Sequence, residues 1–200
     1  MEYDKPYIGV IKTGEEIKVR LLSQDDEDGL VEYFLNLSEK TTSLFSPHAF
    51  DRQTASLLCK NTPDPKFIRI IAEANEKNRN KIIAYVILTL GISEGDIKRY
   101  QKYNISLDEQ KDCKYAPSVA DSYQSAGVGS IMIQYALSYA IHSGKTRMIL
   151  QGGVRKINIR AINYYTKFGF KQVGAFDESL DMMMDISSCP MYIQETKIDV

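Results

Sequence analysis

The stretch from Val119 to Ser130, VADSYQSAGVGS, constrains the fold more than any other part of this chain. An extended segment enters a turn and Gln124 opens a loop. The small residues Ser125, Ala126, Gly127, Val128 and Gly129 then lead into Ser130 and the apolar run IMIQYALSYAI. That run is long enough for about three helical turns. The pattern is strand, glycine-containing loop, helix N-terminus. The first turn of such a helix leaves N–H groups without partners at the positive end of the macrodipole. Glycines let a bulky anion reach that backbone, so the stretch predicts a phosphate cradle that needs no basic side chain.

A dinucleotide-binding fingerprint would require a third glycine where Met132 stands, and a P-loop would require Gly-Lys-Ser/Thr at its end. Neither is present. What remains is Gln124-x-x-Gly127-x-Gly129. Downstream, Asn158 to Phe170 reads NIRAINYYTKFGF, with Asn158, Ala161, Tyr165, Gly169 and Phe170 in a second spaced pattern. The two motifs, in this order and with a strand between them, resemble the signatures of the GNAT superfamily of N-acetyltransferases. The resemblance covers residues 15 to 186, more strongly in the second half.

That resemblance implies an acetyl-CoA-dependent N-acetyltransferase. It puts the cofactor pyrophosphate against backbone N–H groups from Ser125 to Ser130, with Gly127 and Gly129 keeping the cradle free of Cβ atoms. Gln124 either closes the turn or touches a phosphate oxygen. The backbone of Val119 to Asp121 pairs with pantetheine, and an N–H at Val119 or Ala120 polarises the thioester oxygen. Asn158 either hydrogen-bonds the pantetheine arm or caps its helix, and Ala161 offers a small surface where the cofactor passes. Tyr165 falls where the family carries a general acid facing the CoA sulfur. An unperturbed tyrosine has a pKa of about 10, so it is protonated at neutral pH, as an acid should be. A general base is not legible, with Glu73 and Glu94 as candidates. Relatives that modify protein lysines often carry a glutamate where Lys114 stands here, which separates this chain from a shared base and a shared protein substrate. Cys113 is the cysteine closest to a motif and precedes the cofactor strand, so direct attack in a ternary complex is expected. The rival reading is a non-catalytic acyl-CoA-binding module.

Around these motifs the chain reads as alternating strands and helices. Ile17, Val19 and Leu21 alternate with Lys18 and Arg20, a half-buried strand. Ser23 or Asp25 can cap a helix carrying Leu30, Val31, Phe34, Leu35 and Leu37. A second helix runs about Ala49 to Cys59 and stops at NTPDP. Phe67 to Ala74 and Lys81 to Leu90 form a hairpin across NEKNRN, the second strand apolar enough to be central. Gly91 to Asp112 is a polar connection with room for a short helix around Asp96 to Tyr103. Tyr100, Tyr103 and Tyr115 are candidates for an aromatic entrance. The cofactor strand, about Lys114 to Ala120, contains Pro117, which demands an edge, a bulge or a splayed position. The GNAT fold splays this strand from its neighbour. A strand at Thr146–Leu150, the Asn158 helix and a closing hairpin at 170–186 complete the order βααβββαβαββ. That order is a mixed α/β sheet with helices on both faces. Residues 1–14 are a tail or an irregular first strand, and 187–200 a tail.

Two hundred residues suit one domain of the extent just given. A net charge of -1 argues against a nucleic-acid partner held by bulk charge. No apolar run approaches the length of a membrane span, and the N-terminus lacks a signal-peptide pattern. Cys59, Cys113 and Cys189 are scattered, as are His48 and His142. No metal site is expected, and the thiols read as reduced in a cytoplasmic protein. The expected partner is a small-molecule or peptide amine acceptor, and the family's frequent homodimers add a second copy of the chain.

Overall fold

The computed structural model describes residues 5–45 and 47–190. Its elements, in chain order, are β1 (Tyr7–Val10), β2 (Glu16–Leu21), α1 (Glu27–Leu35), α2 (Glu39–Thr42), α3 (Arg52–Lys60), β3 (Phe67–Glu76), β4 (Arg79–Thr89), α4 (Glu94–Gln101), β5 (Asp112–Val119), α5 (Val128–His142), β6 (Arg147–Leu150), β7 (Val154–Arg155), α6 (Ile159–Lys167), β8 (Lys171–Phe176) and β9 (Ser179–Asp185). The predicted series is present in order; the short helix offered around Asp96 to Tyr103 is α4, the irregular first strand is β1, and α2 and β7 are additional. The chain divides into two compact units: residues up to 88 with 116–139, and 89–115 with residues from 140 onward. Of the expected tail 187–200, the described part continues a 3-10 turn at Ile186–Ser188 and buries Cys189, and the rest lies outside the described residues.

In the first unit, β1 pairs antiparallel with β2, and β2 with β3. The segment open between tail and strand is therefore a strand, registered from Tyr7 opposite Val19 to Val10 opposite Glu16. β3 turns into β4 through Lys77 and Asn78, at φ 51° and 65°. Positive φ at both central residues is the two-residue hairpin turn whose twist matches that of paired strands. Ile82 to Leu88 of β4 are all buried, as a central strand requires. Ser23 and Asp26 form a capping box before α1, with Ser23 N–H 2.7 Å from Asp26 Oδ2. Arg20 clamps that carboxylate with two bonds of 2.7 Å and holds Glu73 with bonds of 3.0 and 2.6 Å. Leu30, Val31, Tyr33 and Phe34 of α1 then pack with Ala55 and Cys59 of α3, Tyr85 and Ile87 of β4, and Ala116.

His48 lies against Phe34, Phe45, Phe50 and Tyr85, at ring-centroid distances between 5.2 and 5.7 Å. Its Nδ1 is 2.8 Å from the Ala49 carbonyl. Burial lowers its pKa, with Arg69 adding to that effect, while the Ala49 bond and Asp51 oppose it. The folded chain therefore binds this proton less readily than the unfolded chain. The stabilising contribution is fully present above the ordinary histidine value of about 6.5 and is lost as pH falls through the lower folded value. Thermal midpoints measured from pH 7.5 to 5 should fall, and the slope should flatten in His48→Phe. An unchanged slope would overturn this.

In the second unit, β6 is parallel to β5 and antiparallel to β9, and β9 carries β7 and β8. The polar connection is not a solvated loop. Ser93 and Asp96 cap α4 with a second capping box. Ile92, Tyr100 and Leu107 then pack with Ile149 in a core joined by Ile97, Tyr103 and Ile105. Asp96, Arg99 and Asp112 of the connection are paired. Arg99 bonds Asp181 and Asp96, and Lys114 Nζ is 3.0 Å from Asp96 Oδ2. Arg147 meets both oxygens of Asp112 at 2.6 Å. Among the described residues, no helix is long and apolar enough to cross a membrane.

Candidate functional site

The strand β5, expected to carry the cofactor contacts, is paired with β6 from Asp112 to Tyr115. The last rung is Gln151 N–H to the Tyr115 carbonyl at 3.0 Å. By the alternation of a parallel ladder, the next rung would need an N–H at position 117. Proline has none, so the ladder stops there and β5 runs on to Val119. β6 itself ends at Leu150, so the end of the strand and the missing N–H of Pro117 fall together.

Beyond the ladder, Ala120 N–H is committed to the Ile83 carbonyl at 2.8 Å. The N–H of Val119 points the opposite way by strand alternation. Asp121–Tyr123 then forms one 3-10 turn. Gln124 closes the loop: its Nε2 donates to the Val119 carbonyl and to Thr41 Oγ1, each at 3.0 Å. Thr41 Oγ1 in turn donates to Asp121 Oδ1 at 2.7 Å, and Asp121 also accepts from Ser38 N–H and Oγ at 2.9 and 2.7 Å. Burial opposes these bonds, but they prevail and hold the Asp121 carboxyl below its ordinary range. Ser38 and Thr41 carry no local sequence signal for this role, because they lie some eighty residues from the loop they support.

Ser125 and Gly127 have φ of 65° and 99°. This left-handed backbone favours glycine at 127, and it turns the chain sharply into α5. Ser130 N–H bonds the Gly127 carbonyl at 3.0 Å, and Val128 and Gly129 stand in the first turn of a fifteen-residue helix. Ala126 is anchored from outside by Lys12, whose backbone N–H donates to its carbonyl at 2.9 Å.

The second motif lies in the second unit. Asn158 Oδ1 accepts the Ala161 N–H at 3.2 Å and caps α6, so of its two expected roles capping is the one seen. Tyr165 is 8% exposed. Its ring packs edge-on against Tyr164 and Phe170, with centroids 5.1 and 5.4 Å away. Its hydroxyl makes no hydrogen bond among the described residues, whereas the Tyr164 hydroxyl is 3.1 Å from that of Tyr115. Burial pushes the Tyr165 phenol well above its ordinary pKa, which keeps the proton on oxygen.

Other candidates fall away. Glu73 has both oxygens on Arg20, and Glu94 is exposed beside Lys98. Tyr100 and Tyr115 are buried in the core. The Tyr103 hydroxyl bonds the Ala175 carbonyl and Asp181, and its ring lies so close over Gly174 that an added Cβ would come within 2.2 Å of it. These tyrosines form no aromatic entrance. Cys113 is fully buried, and burial pushes its thiol up to about 12. Among the described residues, no cluster of metal-ligating side chains occurs.

No curated protein matches the chain. Solved structures do. The GNAT domain of S. lividans PAT matches at TM-score 0.72 and 20% identity, over 90% of this chain and 96% of its own. The PaiA N-acetyltransferase of Thermoplasma acidophilum, in complex with coenzyme A, matches at 0.62 and 14%, over 84% and 98%. The putative acetyltransferase YncA of Salmonella typhimurium, with acetyl-CoA, matches at 0.59 and 16%, over 85% and 94%. At these identities the likeness shows the fold. A family model described as Acetyltransferase (GNAT) family matches residues 32–170, a span that includes both motifs. With the family's two motifs in order and its model over most of its length, the chain belongs to the GNAT acetyltransferase family.

Proposed function

We propose that the chain transfers the acetyl group of acetyl-CoA to a primary amine by direct attack in a ternary complex. The observation that carries this reading is Tyr165, a protonated phenol at the family's acid position whose hydroxyl has no hydrogen-bond partner among the described residues. The loop from Ser125 to Ser130 holds the pyrophosphate, and Val119 N–H polarises the thioester oxygen, since Ala120 N–H is already spent on Ile83. The neutral amine nitrogen bonds to the carbonyl carbon and releases its surplus proton to water, the carbon–sulfur bond breaks, and Tyr165 gives its proton to the departing thiolate and regains one from solvent. A cysteine route is disfavoured by burial: the Cys59 thiol is pushed up to about 11 and Cys113 higher still, and neither is a thiolate at neutral pH.

A thermal-shift titration with acetyl-CoA, CoA and NAD tests the cofactor. A ligand at a hundred times its dissociation constant should stabilise the fold by about 2.7 kcal/mol. A rise with both CoA forms and none with NAD is expected, followed by thiol release on adding primary amines. No rise with CoA would remove the reading. Binding without thiol release for any amine tested would favour a non-catalytic acyl-CoA-binding module.

A further inference from the structure

The cofactor loop supplies backbone but no cation. From Val119 to Ile141 the sequence contains no lysine or arginine, and its charged side chain is Asp121. Two more carboxylates stand at the loop, because the Tyr123 hydroxyl bonds Glu15 Oε1 at 3.3 Å and Glu76 Oε1 at 3.0 Å. A cofactor carrying a diphosphate and a 3′-phosphate therefore meets a negatively charged surround, relieved only by N–H dipoles, unless a cation arrives from elsewhere in the chain.

Lys12 is placed to be that cation. It sits in the tight turn between β1 and β2, which is closed by Ile11 N–H to the Glu15 carbonyl at 3.0 Å and Gly14 N–H to the Ile11 carbonyl at 2.9 Å. Its backbone N–H is bonded to Ala126, and its Nζ donates to the Ser125 carbonyl at 3.2 Å. Its Cγ lies 3.6 Å from where a Cβ on Gly127 would be, so the stem crosses the loop at its glycine. The side chain is exposed and its ammonium pairs with a carbonyl rather than a carboxylate, leaving a full charge at the mouth of the loop. Lys12 precedes the span matched by the family model and lies in the N-terminal strand pair β1–β2.

We propose that Lys12 is a phosphate ligand of the acyl-CoA cofactor, carried to the loop by the β1–β2 turn. The inference rests on the reading that the loop holds acyl-CoA. A cation–phosphate bond is charge-assisted and stronger than a neutral one, and the diphosphate and the 3′-phosphate share the chemistry that would take it.

The test is calorimetric titration of CoA, dephospho-CoA and pantetheine into the wild-type protein, Lys12→Ala and Lys12→Arg. Lys12→Ala should weaken CoA about tenfold, with Lys12→Arg recovering most of the loss. The unliganded thermal midpoint should stay put, because the side chain is exposed. A loss for CoA but not dephospho-CoA assigns Lys12 to the 3′-phosphate, and equal losses for both assign it to the diphosphate. Pantetheine affinity should be unaffected in either case. Wild-type binding of CoA with Lys12→Ala unchanged overturns the inference alone. Wild-type failure to bind CoA removes the cofactor reading beneath it.

Discussion

Tyr165→Phe should lower the turnover of the acetyl-transfer reaction by about a hundredfold or more, the range of a lost general acid. The dissociation constant of acetyl-CoA should change by less than about twofold, because the hydroxyl acts on charge that develops as the carbon–sulfur bond breaks. The fold should hardly notice. Its packing comes from the ring against Tyr164 and Phe170, which phenylalanine keeps, and no hydrogen bond among the described residues is lost. Because burial raises the phenol above its ordinary value, turnover should show no alkaline decline from Tyr165 anywhere below about pH 10. The neighbouring tyrosine supplies the control. Tyr164→Phe breaks the bond to the Tyr115 hydroxyl and leaves a buried phenol unpaired, a stability loss of about 1–3 kcal/mol. Its turnover should stay within a few-fold of wild type. The reverse result, with Tyr164→Phe inactive and Tyr165→Phe normal, would move the acid by one residue. Normal turnover in both would end the acid role.

The motifs were legible because they are local. A strand, a left-handed glycine and a long helix follow one another within Val119–His142, and Asn158 caps the helix that carries Tyr165. Pro117 signalled an interruption of the ladder because it has no N–H to donate, and the pairing of β5 with β6 does stop before it. What stayed hidden was held by pairs distant in sequence. Gln124 was readable as a loop residue, but its partner Thr41 was not, since no periodicity links position 41 to position 124. Lys12 was invisible for the same reason. The stretch 91–112 misled in another way. Asp96 and Arg99 read as part of a polar connection, yet they meet each other, Lys114 of β5 and Asp181 across two strands and a helix.

That paired cluster carries the largest expected change in stability. Asp181 is fully buried and accepts from Arg99 Nε at 2.9 Å and from the Tyr103 hydroxyl at 3.1 Å. Arg99 lies over the Phe176 ring at 4.6 Å and Tyr103 over Gly174, so the carboxylate fastens α4 to the β8–β9 hairpin at a crowded point. Asp181→Ala removes the anion and leaves Arg99, itself mostly covered, with Asp96 alone. Removing one partner of a buried pair costs about 3–5 kcal/mol, because the surviving charge stays desolvated. Arg99 keeps a second carboxylate, so the lower end applies. About 3 kcal/mol in a chain of this size is a fall of roughly 6–12 °C in thermal midpoint. Asp181→Asn retains an acceptor for Tyr103 and should lose less. Double-mutant analysis with Arg99→Met should recover part of the Asp181→Ala loss, since it removes the stranded charge. A midpoint within about 2 °C of wild type for Asp181→Ala would mean that α4 is held by Ile92, Tyr100 and Leu107 alone, and that the charges are passengers on an apolar interface.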